Sequence, residues 1–210
     1  MFEAIQQIDF QILDWIQQNM RTPWLDWLMP KITFLGEAGL FWILLAILFL
    51  LWKPRRRCGM KMLAGLAGGF LLWSVGLKKI IARPRPCWIN EGMEMLIRIP
   101  RDFSFPSGHS VAGFTAAVII FRHNRRWGIP ALILAALIAF SRLYLYVHFP
   151  TDVLAGILIG ILTGIAADVL IDRFIINRKR QRQKRKYDRI RSREKDGNGI
   201  INTKVFKTTA

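Results

Sequence analysis

The sequence is poor in cysteine, histidine and acidic side chains. Its 210 residues include 2 Cys and 3 His, and only 14 acidic residues accompany 31 Lys and Arg. Two cysteines form one disulfide at most, and outside the polar clusters of residues 78–152 no set of Cys, His or carboxylates has metal-ligand spacing. An internal repeat, a Gly/Ser linker and a heptad array are also missing. The sequence therefore predicts no metal or other cofactor and no repeat or coiled-coil architecture.

Apolar and aromatic residues are abundant instead. Hydrophobic residues make up 52% of the chain, with 8 Trp and 14 Phe, which excludes disorder for most of it. Long apolar runs occupy residues 41–52, 62–77, 111–121, 127–147 and 153–176. These runs are too many and too continuous for a soluble core, and weakly polar neighbours extend the shorter ones toward the roughly 20 residues that a spanning helix needs. The sequence thus predicts an all-α, multi-pass transmembrane helical bundle with about five spans.

The first 30 residues predict an amphipathic N-terminal segment. Apolar residues recur there at roughly helical spacing between Gln and Asp residues: Phe2, Ile5, Ile8, Phe10, Ile12, Leu13, Trp15 and Ile16. This pattern is typical of a helix that lies in the membrane interface, and equally of a helix packed on the bundle. No basic region followed by an apolar stretch and a small-residue cleavage site is visible, so we expect Met1 to be retained.

Positive charge is concentrated after the last apolar run. The net charge is +17, and residues 178–210 hold 13 Lys or Arg against 3 acidic residues. Basic residues directly after a spanning helix indicate the cytoplasmic side, where they also attract anionic lipid head groups. We predict a membrane-embedded domain over residues 1–177 and a basic, partly disordered cytoplasmic tail over residues 178–210. Nucleic-acid binding is the weaker alternative, because only Tyr187 interrupts the basic run with an aromatic ring.

If the tail is cytoplasmic, the alternation of the preceding spans places the remaining polar residues on one face of the cell membrane. The basic loops at residues 53–57 and 122–126 then lie on the cytoplasmic side, where an excess of Lys and Arg is expected. Residues 78–108 and the turn around His148 lie on the outer face, and Cys58 is separated from Cys87, which argues against a disulfide. The outer segment still carries several cations, contrary to the same rule unless they serve a site: Lys78, Lys79, Arg83, Arg85, Arg98 and Arg101.

The segment Pro106-Ser107-Gly108-His109 precedes an apolar run and predicts a helix start. Ser104 suits a capping position, Pro106 the first helical position, and Gly108 permits close approach of the backbone to a ligand. The free amides and the positive end of the helix dipole would bind a phosphate oxygen there. An ordinary helix initiated by proline is the alternative.

A second polar junction joins two apolar runs over residues 141–152. His148 lies there, and Asp152 follows four residues later, near enough to accept a hydrogen bond from one imidazole nitrogen and leave the other free for nucleophilic attack. Arg142 ends the preceding run. A histidine near a helix start is commonly a surface or capping residue, but the carboxylate and the arginine in an apolar setting favour a function.

Three cations complete the candidate site. Lys78, Arg85 and Arg142 supply fixed positive charge, which stabilises a phosphoryl group during transfer. Taken singly, each is better explained as an interfacial cation whose charged end reaches the head groups. Arg83 also precedes a proline, two residues before Arg85, so spacing alone does not choose between these two arginines.

Together these residues resemble the tripartite signature of the type 2 phosphatidic acid phosphatase superfamily. Its parts are Lys78, six residues, Arg85-Pro86; then Pro106-Ser107-Gly108-His109; then Ser141-Arg142, five residues, His148, three residues, Asp152. The resemblance implies a helical bundle that hydrolyses a lipid phosphate without a metal, through a phosphohistidine. It implies His148 as nucleophile, Asp152 as its orienting partner and His109 as the acid that protonates the leaving oxygen. The residues implied to hold the phosphate are Lys78, Arg85, Ser107, Gly108 and Arg142.

A membrane-embedded site on the outer face favours a lipid phosphate as substrate, and the resemblance to small bacterial members favours undecaprenyl diphosphate. Phosphatidylglycerol phosphate and phosphatidic acid are alternatives, because the enzymes that act on them share these motifs. A vanadate-dependent haloperoxidase conflicts with the apolar runs, since those enzymes are soluble. A non-catalytic membrane protein that binds lipids or partners through its tail conflicts with the intact His109, His148 and Asp152.

Overall fold

The structure, a computed structural model, describes residues 2–205, with their side chains except at residues 2, 72–75, 186 and 188–205. Every regular element in this part of the chain is a helix, which confirms the predicted all-α class. The α-helices are α1 (Phe2–Met20), α2 (Pro23–Leu35), α3 (Leu40–Leu51), α4 (Arg56–Gly69), α5 (Lys78–Ile81), α6 (Pro86–Ile89), α7 (Gly108–His123), α8 (Arg125–Tyr144) and α9 (Pro150–Val205). Short 3₁₀ turns join α2 to α3 and α3 to α4, and a π-helical segment, Phe70–Leu77, joins α4 to α5.

Local sequence explains where several helices begin. Thr22 caps α2 by accepting a hydrogen bond from the Leu25 amide at 3.3 Å, and Pro23 takes the first helical position, where its missing N–H costs nothing. Asn124 caps α8 in the same way through the Trp127 amide at 3.3 Å.

A sharp break separates α2 from α3. Ala38 and Gly39 have positive φ values of 48° and 68°, and the two helices are bent by 40°. Gly36 lies just before the break, and a Cβ at this position would lie 2.5 Å from the Cδ2 atom of His109. The absence of a side chain there lets the break approach the start of α7 closely.

α7 forms the centre of the first part of the bundle, between α4, α8 and α9. Its Ala116, Ala117 and Ile119 are fully buried. On α9, Gly156, Gly160 and Gly164 recur every four residues; a Cβ on these glycines would lie 2.8 to 2.9 Å from backbone oxygens of α7 or of Ser107 just before it. Small residues at this spacing allow the backbones of two helices to touch.

A buried ion cluster joins three helices at the other end of α7. The Asp168 carboxylate of α9 binds Lys61 Nζ of α4 at 2.6 Å and Arg122 Nε of α7 at 2.6 Å. Asp168 and Lys61 are buried. Each charge therefore has an opposite partner, which offsets the cost of removing it from water.

Two helices of the described chain are long and apolar enough to cross a membrane, α8 and the Pro150–Arg185 part of α9. The bent pair of α2 and α3 is a third candidate if it forms one span. α7 has 16 residues, about 24 Å of helix, and the run from α4 to α5 is divided by the π-helical segment. The protein is thus a membrane protein with two or three candidate spans, and about five spans stays a prediction.

The N-terminal helix α1 packs on the bundle with one face. Leu13 and Ile16 are buried, and Gln17 Nε2 donates to the Tyr144 carbonyl at 2.8 Å, whereas Ile8 and Trp15 are exposed. This arrangement corresponds to the second of the two interpretations that its amphipathic pattern allowed. A position of α1 in the membrane interface stays a prediction.

The chain divides after Asp168 into two compact units. The first holds residues 1–168; the second, residues 169–210, consists in its described part of the later portion of α9. α9 is helical through Val205, and the predicted partial disorder of residues 178–210 stays a prediction. Lys, Arg and Gln, abundant there, are favourable helix residues. Residues 206–210 of the predicted tail lie outside the described residues, and the boundary after residue 177 stays a prediction.

Candidate active site

One cavity of about 1200 Å³ collects most of the candidate residues. Its walls come from α2, α3, α4, α7 and the loop between α6 and α7 (residues 90–107, here the α6–α7 loop). Ser107 and Asp152 are fully buried. The other six candidate residues line the cavity: Lys78, Arg85, Gly108, His109, Arg142 and His148.

The start of α7 lies two residues later than predicted. The helix begins at Gly108, with Ser107 as its cap residue in extended conformation, so Pro106 precedes the helix. The Ser107 amide donates to the Asp152 carbonyl at 3.1 Å, which holds this residue outside the helical conformation. The amides of the first turn still have no intrahelical partner and remain suited to an anion.

His148 is held through both ring nitrogens. Arg85 Nη1 lies 3.0 Å from Nε2, and a guanidinium only donates, so Nε2 carries the lone pair and Nδ1 the proton. Nδ1 lies 3.4 Å from Ser104 Oγ and 3.8 Å from Asp152 Oδ2. The predicted direct hydrogen bond to Asp152 is therefore too long, and Ser104 connects the two residues instead.

Asp152 is fully buried, and its carboxylate accepts hydrogen bonds from several elements. Ser104 Oγ donates to it at 2.5 Å, the Phe149 amide at 2.9 Å and Arg83 Nη1 at 2.7 Å. Oδ2, the oxygen nearer to the imidazole, thus already accepts two hydrogen bonds, from Ser104 and from the Phe149 amide. Ser104, predicted as a capping residue, is therefore a link between the carboxylate and the His148 imidazole.

Arg83 ties the N-terminal helix to this carboxylate. Its Nη2 atom binds the buried Asp9 of α1 at 2.7 Å, while Nη1 binds Asp152. Asp9 also accepts from the amide and hydroxyl of Thr151, at 3.0 and 2.5 Å. Of the two neighbouring arginines, Arg83 thus lies behind the site and Arg85 faces the imidazole.

Lys78 and Arg85 share one carboxylate at the cavity. Asp102 binds Lys78 Nζ through one oxygen and Arg85 Nη2 at 2.8 Å through the other. Arg85 Nε also donates to the Asp102 carbonyl at 2.6 Å, and Nη1 to the Val147 carbonyl at 2.6 Å. Asp102 therefore neutralises part of the positive charge of this cation pair.

Two buried nitrogen atoms at the cavity have no hydrogen-bond partner among the described residues. They are Nε of Arg142 and Nε2 of His109. Arg142 is held by Nη1, which donates to Thr33 Oγ1 at 2.6 Å, and the nearest carboxylate oxygen to His109 Nε2 belongs to Glu37 at 3.8 Å. A buried polar atom without a hydrogen-bond partner costs free energy, so both atoms are suited to form a hydrogen bond with a ligand in the cavity.

Burial and the surrounding charges keep the nucleophile candidate neutral. Burial, followed by the nearby Arg85 guanidinium, holds the pKa of His148 well below its ordinary value. Partial burial alone would raise the pKa of Asp102, but Lys78 and Arg85 outweigh this and hold the pKa of that carboxyl well below its usual range. At neutral pH the His148 imidazole is therefore neutral and the Asp102 carboxyl is ionised, beside the cations Lys78, Arg85 and Arg142.

Sequence reasoning missed several polar residues that build this site. Asp102 was a detectable candidate, because it is an acidic residue directly before the second motif in a loop rich in cations. Asp9, Thr33 and Glu37 carry no such signal, since they reach the site only through folding. Within residues 2–205, no group of three or more His, Cys, Asp or Glu is arranged to hold a metal ion.

Comparison with known sequences and structures identifies relatives of this chain. It is 33% identical to the undecaprenyl-diphosphatase of Sulfolobus acidocaldarius over 126 residues, 59% of this chain and 61% of that protein. It is 35% identical over 150 residues to phosphatidylglycerophosphatase B of Bacillus subtilis, covering 65% of this chain and 70% of the relative. The chain thus spans about three fifths of the length of the first relative.

A solved structure shares the fold. The transmembrane PAP2 type phosphatidylglycerolphosphate phosphatase of Bacillus subtilis superposes with a TM-score of 0.68 at 31% identity, over 81% of this chain and 87% of that one. The model of the PAP2 superfamily matches residues 58–175, which include all the polar residues predicted to form the site. The chain belongs to the PAP2 superfamily.

Proposed function

We propose that this protein is an integral membrane lipid phosphatase that hydrolyses the terminal phosphate of a lipid phosphate or diphosphate through a phosphohistidine. The observation that carries this proposal is the cavity at which the lone pair of His148 Nε2 meets the guanidinium of Arg85. Lys78, His109 and Arg142 line the same cavity. A buried neutral imidazole beside fixed cations suits attack on a phosphorus atom.

In the first step, the phosphate oxygens replace the Asp102 carboxylate on Lys78 and Arg85. Arg85 then turns its donor from His148 to the phosphate and frees the Nε2 lone pair. Nε2 forms a bond to phosphorus while the bond from phosphorus to the leaving oxygen breaks. The negative charge of the bound phosphate favours a protonated His109, which donates that proton to the leaving oxygen, and the cations stabilise charge on the equatorial oxygens.

In the second step, His109 removes a proton from water, and the resulting hydroxide attacks the phosphohistidine. The nitrogen–phosphorus bond breaks, its electron pair returns to His148, and inorganic phosphate leaves. Ser104 and Asp152 hold the Nδ1 proton throughout, so that Nε2 remains the reacting nitrogen. The reaction consumes one water for each phosphate released, and no metal takes part in any step.

Undecaprenyl diphosphate is the proposed substrate. Support comes from the undecaprenyl-diphosphatase of Sulfolobus acidocaldarius and from an apolar extension of the cavity along α3, α4 and α7. Phosphatidylglycerol phosphate is the second candidate, favoured by the phosphatidylglycerophosphatase relative and the superposed structure. Phosphatidic acid remains a third, since its phosphate needs the same cations.

We further propose about five spans, with the cavity on the outer face of the cell membrane and residues 178–210 on the cytoplasmic side. The basic loops at residues 53–57 and 122–126 support this orientation. The basic residues of the tail would lie near anionic head groups. A non-enzymatic protein that binds lipids or partners by this tail is the contrasting proposal, and it leaves the cavity without a role.

The test is phosphate release from these lipids by purified protein in detergent with EDTA. We expect His148→Ala to reduce kcat/KM by about a thousandfold or more. His123→Ala is the matched control, since His123 lies at the exposed end of α7 and should retain activity. Rapid quenching in alkaline denaturant should trap an acid-labile phosphoenzyme in the wild type and not in His148→Ala. Full activity of His148→Ala would contradict the assignment of the nucleophile.

A further inference from the structure

Two arginines of the α6–α7 loop have no part in binding a single phosphate by Lys78, Arg85 and Arg142. Arg98 and Arg101 line the cavity and are exposed. Neither has a hydrogen-bond or ion-pair partner among the described residues. A cation with no protein partner at the wall of an anion-binding cavity is available to a ligand.

The other cations near the cavity differ in this respect. Lys78 and Arg85 are paired with Asp102, and Arg83 is paired with Asp9 and Asp152. An acidic residue of the same loop, Glu94, lies 3.6 Å from Arg21 and is directed to α2 and its cap region. The loop therefore keeps two uncompensated positive charges at the cavity.

The segment that carries these two arginines is fixed at its end. Trp88 Nε1 donates to the Pro100 carbonyl at 3.1 Å, and Arg85 Nε donates to the Asp102 carbonyl at 2.6 Å. Arg101 lies between these two anchored residues. These two hydrogen bonds fix the distance between the segment and Arg85. Arg98 and Arg101 are thereby held in position relative to a phosphate bound at Arg85.

We propose that Arg98 and Arg101 bind a second phosphate group, the one that remains on the lipid, and thereby select lipid diphosphates over lipid monophosphates. This inference rests on the proposed phosphatase function. The terminal phosphate binds Lys78, Arg85 and Arg142, and the adjacent phosphate lies against the α6–α7 loop. A monophosphate offers nothing to these two arginines.

The chemistry of cleavage supports this assignment. When His148 Nε2 attacks the terminal phosphorus, the bond between that phosphorus and the bridging oxygen breaks. The bridging oxygen takes the electron pair and the proton from His109, and it stays on the lipid as part of a monophosphate. Negative charge thus grows on the second phosphate in the transition state, where two fixed cations stabilise it. The products are the lipid monophosphate and, after hydrolysis of the phosphohistidine, inorganic phosphate.

The test compares one isoprenoid chain carrying either a diphosphate or a monophosphate. For the double variant Arg98→Ala and Arg101→Ala we expect kcat/KM to fall by about tenfold or more on the diphosphate and to change by less than about twofold on the monophosphate. Lys79→Ala is the control, an exposed cation next to Lys78 that does not line the cavity. Retained hydrolysis of the monophosphate shows that the variant is folded.

Inhibition gives an independent measurement. Inorganic pyrophosphate should inhibit the wild type more strongly than inorganic phosphate, and the double variant should lose most of this difference. An equal loss on both substrates, or no loss on the diphosphate, would overturn the second-phosphate site while leaving the phosphatase proposal intact. A wild-type protein that hydrolyses neither isoprenoid lipid would overturn this inference, and failure on the glycerolipid phosphates as well would overturn the proposed function.

Discussion

Ser104 is the hydrogen-bond partner of the proton on Nδ1 of His148. Ser104 Oγ lies 3.4 Å from Nδ1 and donates its own proton to Asp152 at 2.5 Å. The hydroxyl therefore accepts a hydrogen bond from the imidazole N–H, and Asp152 orients the ring through Ser104. Removing the hydroxyl leaves the ring without a partner at hydrogen-bond distance on that side.

We expect Ser104→Ala to lower kcat by about a hundredfold, because the imidazole loses its fixed orientation, with KM nearly unchanged. Steady-state kinetics on a lipid phosphate would measure the separate effects on kcat and KM. Ser141→Ala is the control, since Ser141 is a buried serine that bonds to the carbonyl of its own helix at Ile138. Ser104→Thr should restore most of the rate. A rise in KM alone would contradict the orienting role.

Protonation of His148 is the second prediction at the scale of residues. Its pKa lies well below the ordinary value of 6.5 because of burial and, next, Arg85. The unfolded chain therefore binds this proton more readily, so the contribution of His148 to stability falls as the pH decreases below about 6.5. In NMR spectra assigned with His148→Ala, the imidazole resonances should not titrate between pH 6 and 7. A midpoint near 6.5 would contradict the buried, neutral state.

The sequence motifs predicted six of the residues that line the cavity, and they failed where contacts come from distant sequence. The resemblance to the family signature, and not spacing alone, selected Arg85, which faces His148, and Arg83 lies behind. Asp9 and Thr33 are ordinary residues in sequence and enter only because α1 and α2 pack there. A hydrogen bond between His148 and Asp152 was inferred from a separation of four residues, which does not reveal that other donors occupy the carboxylate.

At the scale of elements, the close packing of α7 and α9 depends on glycines. A Cβ at Gly160 would lie 2.8 Å from the Val111 carbonyl oxygen and 2.9 Å from the Phe114 Cβ. Neither atom belongs to a flexible chain end, so the helices would have to separate. Gly68 of α4 differs, because a Cβ there meets nothing within 4 Å.

We expect Gly160→Ala to destabilise the protein by about 1 to 3 kcal/mol through overpacking. Gly68→Ala is the matched control and should be neutral or more stable by up to about 1 kcal/mol, since alanine favours a helix. Thermal unfolding in one detergent, followed by circular dichroism, would measure both. Equal stability of the two variants would show that α9 can move away from α7 at little cost.

Helix boundaries were predicted less well than helix existence. The apolar run at residues 111–121 lies within α7, but the start of this helix depends on the bond from the Ser107 amide to the Asp152 carbonyl, a contact between distant motifs. The pattern of apolar residues also does not reveal the break at Ala38 and Gly39. Both features are decided by tertiary packing, which periodicity does not encode.

At the scale of the whole molecule, the proposed topology places Asn90 outside and Asn124 inside. The side of the membrane on which each residue lies depends on the number of spans that precede it. Accessibility of these two positions to a reagent outside the cell therefore tests the orientation. The native Cys58 and Cys87 are buried and would be replaced by alanine to leave a single reactive thiol.

In this background we expect Asn90→Cys to react with a membrane-impermeant maleimide in intact cells. Asn124→Cys should react only after lysis, and it serves as the matched cytoplasmic control. Labelling of both single-cysteine variants by a permeant maleimide would show that each thiol is accessible. The reverse pattern would contradict the orientation and place the cavity on the cytoplasmic side.

The class of the fold was predictable from the abundance of apolar runs, whereas the number of spans was not. Several runs are shorter than a bilayer is thick, and in the structure the run at residues 62–77 is divided between α4 and the π-helical segment. Length and apolarity alone then identify two or three spans. Charge along residues 178–210 predicted a side of the membrane, but it carried no information on whether the segment is helical.

The contact between α7 and α9 has a consequence for the enzyme in different lipids. Ser107 donates its amide to Asp152, and Gly156 brings the backbone of α9 against the Ser107 carbonyl. The second and third motifs are therefore joined at one end of a helix pair, and no lipid lies between them there. When bilayer thickness changes and helices tilt, these two motifs should move as one piece, so turnover should vary little with the chain length of the surrounding lipid.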